Sequence, residues 1–87
     1  MTWDSIIWDD EDEPGGNVDK IQQHGLTVDD VETALADPVG HGISRSSGCP
    51  MIWGLAIDGR LIVVVYEEID EFTVRPVTAW TDRESEL

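Results

Sequence analysis

The sequence predicts an α+β domain, two short N-terminal helices packed on an antiparallel β-sheet of about four strands. Three observations carry that expectation. Met51 to Thr78 reads as successive strands: Met-Ile-Trp-Gly-Leu-Ala-Ile, then Arg-Leu-Ile-Val-Val-Val-Tyr, then a run beginning at Phe72. Asp58-Gly59 separates the first two, and Asp-Gly between apolar runs signals a hairpin, because both central residues of a type I′ turn need φ > 0. Upstream, the segment 17–36 places apolar residues at helical spacing on one side only, as helices that cover a sheet do.

Ile6-Ile7-Trp8 reads as a short first strand, and Asp9 to Gly16 as an acidic loop. Hard cations such as Ca²⁺ take oxygen ligands, but the ligand-and-glycine spacing of a calcium loop is absent, so this is read as solvated. Asn17 is placed to cap a helix running through His24, with Val18 and Ile21 on its apolar side and Gly25 as its stop. Thr27 caps a second helix through the amide of Asp30. Asp29 and Asp30 suit its positive end, and Val28, Val31, Ala34 and Leu35 form its buried stripe. Asp37-Pro38 ends it, because a residue before proline is pushed out of the α region.

The stretch Val39 to Pro50 is loop-like, with a short strand expected near Gly42–Arg45. Leu61 to Tyr66 is apolar without alternation and needs cover on both faces, or on one face plus a partner. Glu67–Glu71 reads as an acidic break before the last strand. Pro76 cannot donate to a ladder, which marks an edge or a bulge.

The 87 residues form one domain, 1–87, with the acidic loop at 9–16 and a polar tail at 82–87. No long apolar run and no basic leader before an apolar stretch is seen, so a cytoplasmic protein is expected. Cys49 is the single cysteine, which leaves no thiolate framework for zinc. Nineteen acidic residues against five basic ones give a formal charge of −14. Such a field opposes broad nucleic-acid binding and suits a basic protein partner. Adaptation to a salty cytosol is another source of the same composition.

No nucleophile elbow or Cys–His couple is recognisable. His24, His41 and Cys49 match no standard metal spacing, and no cofactor is expected. Lys20 and His24 are four residues apart and share a helical face; Arg45 and Arg60 stand near the loop and the turn. A histidine beside cations suits metal-independent RNA cleavage, where a base takes the 2′-hydroxyl proton and cations stabilise charge on phosphorus. The plainer reading of His24 is a helix C-terminal histidine. Trp3, Trp8, Trp53 and Trp80 have the chemistry to stack on bases; Trp8 and Trp53 fall in expected strands and suit core packing, while Trp3 and Trp80 lie near strand ends and suit exposed contacts.

Taken in order, Ile7-Trp8-Asp9, Asn17-Val-Asp-Lys20-Ile-Gln-Gln-His24-Gly25, Val31 to Asp37-Pro38, Asp58-Gly-Arg60-Leu-Ile-Val-Val-Val-Tyr66 and Val74-Arg-Pro-Val-Thr-Ala79 span most of the chain. This order resembles the BrnT-like toxins of type II toxin–antitoxin systems. Ser44-Arg-Ser-Ser-Gly-Cys-Pro50 is similar to the Arg-Ser-x-Gly-x-Pro segment of a related branch. The resemblance implies a RelE-like fold and a metal-independent endoribonuclease neutralised by a cognate DNA-binding antitoxin. By the same resemblance His24 would be the acid/base, with Lys20, Arg45 and Arg60 holding phosphate. Arg75, Trp8 and Trp80 are the expected substrate contacts, Trp80 standing where these toxins usually carry a second basic residue. The runner-up from composition is a non-catalytic acidic module that binds a basic partner.

Overall fold

The computed structural model describes residues 3–82 and has an α+β architecture: helices α1 (Asn17–Gln23) and α2 (Val28–Ala36) on a sheet of β1 (Ser5–Ile6), β2 (Gly40–Ile43), β3 (Pro50–Leu55), β4 (Leu61–Asp70) and β5 (Thr73–Thr81). The spatial order is β1-β5-β4-β3-β2, so β4 is central. The sheet has five strands rather than about four, and β1 runs parallel to β5 while every other pair is antiparallel.

One face of the sheet carries the core. Ile52, Ile62, Val64, Tyr66, Val74 and Ala79 meet Ile21 of α1, Leu26, and Val31, Ala34 and Leu35 of α2. The sequence places these residues at alternate strand positions and at one helix face, so one packing event buries them all. Gly54 permits the closest approach of the two layers. A Cβ there would lie 2.7 Å from the carbonyl oxygen of Ala34. On the opposite face the pairing aligns Gly40, Trp53, Val63 and Trp80 in one row across four strands. Trp53 lies over the β2 glycines, 3.5 Å from where a Cβ of Gly40 would stand. Val63 and Val65 of β4, outside the cluster that meets the helices, are buried as well, Val63 between Trp53 and Trp80 in that row.

Several local expectations are corrected. The first strand ends at Ile6, and Trp8 stands beyond it, packed against the core with its indole Nε1 donating to Glu32 at 2.9 Å. Trp3 also packs on the core, edge-on to Tyr66, so it is not a free contact. Gly16, not Asn17, is the N-cap of α1, which ends at Gln23 with His24 as its C-cap. Asn17 is instead the first helical residue, where its side chain is free to reach other segments. Glu67–Asp70 continue β4 instead of breaking it, because β5 pairs with them through Arg75, Val74 and Thr73.

The hairpin turn is not type I′, since among the described residues only glycines have positive φ. Gly59 (φ 89°) donates to Ala56 O and Ala56 donates to Arg60 O, the pattern of a type I turn followed by a glycine bulge. Pro76 lies on the interior strand β5, at a bulge: Tyr66 pairs with Pro76 while Val65 pairs with Thr78.

Helix α2 follows its sequence closely. Thr27 accepts from the Asp30 amide and the Asp30 carboxylate accepts from the Thr27 amide, a complete capping box. Gly25 (φ 75°) closes α1. The expected polar tail, apart from Asp82, lies outside the described residues. No described helix is long and apolar enough to cross a membrane.

Candidate functional site

The residues expected to hold RNA are divided between opposite ends of the sheet. His24 caps α1 beside the α1–α2 turn. That turn sits against the β3–β4 hairpin, since Asp30 at the start of α2 accepts from the Ile57 amide (3.2 Å) and faces Arg60 (3.8 Å). His24 and Arg60 therefore stand at the same end of the molecule. Arg45 lies in the β2–β3 loop at the other end of β3, a strand length of about 20 Å away. Lys20 is exposed in the last turn of α1. His24 and the three cations do not converge on one phosphate-sized space.

Two of the arginines are already engaged by carboxylates. Arg60 Nε donates to both oxygens of Asp58, at 2.7 and 3.0 Å. Its side-chain hydrogen bond holds the Asp58 carboxyl below the usual carboxylate range and raises the guanidinium's own value. Arg75 Nη2 donates to Asp9 Oδ2 at 2.8 Å, and Nη1 lies 3.5 Å from Glu67. Asp9 is held low chiefly by the hydrogen bond from the Asn17 amide, then by Arg75, against an opposing contribution from desolvation. Trp80, in β5, ends with its indole Nε1 buried. Its position in the row with Trp53 and Val63 makes it part of an apolar surface.

Three clefts among the described residues differ in character from a phosphate site. A groove of about 460 Å³ between α2 and the end of β3 is lined by Thr33, Asp37, Val39, Leu55, Ala56 and Ile57. A second, of about 260 Å³, is lined by Asp4 and Glu32 together with Trp3, Ile6, Leu35 and Ala36. A third, of about 90 Å³, brings His41 and Glu68 together over Tyr66 and Trp3. Burial, then the charge of Glu68, raises the Tyr66 phenol above its ordinary value. Each of these three clefts carries a carboxylate, and none is lined by lysine or arginine. That His41 and Glu68 line one cleft is not legible in the sequence, because it depends on β2 and β4 flanking β3.

Among the described residues, no three His, Cys, Asp or Glu side chains are grouped so as to hold a metal ion. No family model, curated protein or solved structure matches the chain.

Proposed function

We propose that this chain is a non-catalytic interaction module built on a toxin-like α+β frame, and that its partner is a basic protein. The observation that carries the reading is the carboxylate lining of the three clefts, with no cation among their walls. The net charge of −14 acts in the same direction over the whole surface. A cognate antitoxin with a basic segment is one such partner. Affinity capture with the intact chain tests the reading: a specific basic protein is retained at low salt and released as ionic strength rises toward about 0.5 M. Recovery of no basic partner at low salt rejects it.

The second reading is a metal-independent ribonuclease toxin of the BrnT-like type. It is supported by the ordered resemblance and by His24 and Arg60 standing at one end of the molecule. Here His24 would move the 2′-hydroxyl proton, and Arg60, released from Asp58, would meet the phosphate. Expression of the parent chain should then arrest growth and cleave RNA, with both effects lost in His24→Ala and Arg60→Ala. A harmless parent chain removes this reading.

A further inference from the structure

We infer that the outer edge of β2 docks an extended cationic segment, which joins the sheet as an added strand beside His41 and Ile43. The inference rests on the basic-partner reading above and gives it a place and a geometry. β2 is the last strand of the sheet, with β3 as its one neighbour among the described residues. Proline at position 50 cannot donate, so Gly42–Met51 is a hydrogen-bonded pair, and by alternation Gly40 also bonds inward. The backbone groups of His41 and Ile43 therefore face outward.

Natural edges are commonly guarded by lysine, proline or an inward charge. β2 reads Gly-His-Gly-Ile and has no such guard. Its two faces differ in a way that describes the partner. On one side Ile43 is 62% exposed, two residues along from His41 of the cleft, and Val39, 64% exposed just before β2, lines the groove beside α2. On the other side Gly40 and Gly42 have no side chains, so the Trp53 ring extends across them toward the free edge. An added strand would set alternate residues against Val39 and Ile43, and the intervening ones beside an indole.

Arginine or lysine suits the indole side through cation–π attraction, and a β-branched residue suits the other. Asp37 and Glu68, which line the flanking clefts, add attraction for the same cations. A second copy of the chain would bring its own charge of −14 to this edge, which argues against it as the occupant.

The probe is a synthetic peptide of alternating arginine and valine, titrated into the intact chain at low salt. Its control is the same peptide N-methylated at the amides that would face β2. The unmodified peptide should slow amide hydrogen exchange at His41 and Ile43, and the methylated one should bind about tenfold more weakly. Ile43→Pro deletes one outward donor and spares the ladder to β3, so it should weaken the unmodified peptide similarly. Circular dichroism checks its fold, and the methylated peptide carries the test should that variant not fold. Equal binding of both peptides without protection at His41 and Ile43 overturns the edge site but leaves the basic-partner reading standing. Binding of neither peptide also overturns the edge site, and the partner reading is then decided by affinity capture. A dimer that forms through β2 without peptide overturns the choice of occupant.

Discussion

Asn17 ties three parts of the chain together through one buried amide. Its Oδ1 accepts from the Asp9 backbone at 2.8 Å, and its Nδ2 donates to Ile7 O (3.0 Å) and Pro76 O (2.9 Å). The residue is 2% exposed, so truncation leaves partners that water cannot easily reach. Asn17→Ala should lower the unfolding free energy by about 2–4 kcal/mol, read as a reduced urea midpoint. Asp9 completes the arrangement from the other side, accepting from the Asn17 amide and from Arg75. Its folded pKa lies below the ordinary 3.8, so proton uptake favours the unfolded chain. The stability it contributes is present above that ordinary value and is lost as pH falls through the folded one. The stability gap between the parent and Asp9→Asn should therefore be widest near neutral pH and narrow below about pH 4. A gap that stays constant down to about pH 2 would assign the role of Asp9 to shape rather than charge.

At the scale of elements, the two layers are held at a distance that only a glycine permits. A Cβ on Gly54 of β3 would meet the Ala34 carbonyl at 2.7 Å and the Ala34 Cβ at 2.8 Å, both on the α2 backbone or close to it. Neither atom belongs to a flexible side chain, so Gly54→Ala should force α2 away from β3. Its expected cost is about 1–3 kcal/mol, measured as a lower melting temperature than that of a surface glycine variant. Helix α2 was legible in the sequence because its signals are local: the Thr27 cap, the Val31–Leu35 stripe and the stop at Pro38 lie within one short stretch. The length of β4 was not legible. Glu67, Glu68 and Asp70 have poor strand propensity, and pairing with β5 holds them extended. Likewise the arginines are visible in the sequence, but the pairing of Arg75 with Asp9 spans 66 residues and depends on the finished sheet. For Arg75 the cation is visible in the sequence and the carboxylate that meets it is not, whereas the Arg60 partner, Asp58, lies two residues away in the same turn.

For the molecule as a whole, charge acts against the fold that the core supports. The chain carries nineteen acidic residues and five basic ones, and the described residues form a body whose Cα radius of gyration is 11.8 Å. Most of those charges lie farther apart than an ion pair, yet within the screening length of dilute buffer, about 30 Å at 0.01 M salt. Raising the salt to about 0.5 M shortens that length to a few ångströms and removes most of the repulsion. The same salt weakens the exposed pairs Arg60–Asp58 and Arg75–Glu67, but such pairs contribute little. With so few cations to lose attraction, relief of repulsion sets the sign. The melting temperature should rise by several degrees over that range, since about 1 kcal/mol moves a domain of this size by about 4–8 °C. Neutralising Asp10 and Asp12 in the exposed loop together should raise the low-salt melting temperature and flatten its salt dependence. A melting temperature that falls with added salt would mean that the few ion pairs outweigh the repulsion. The acidic surface would then be a stabilising network rather than a charge held in reserve for a basic partner.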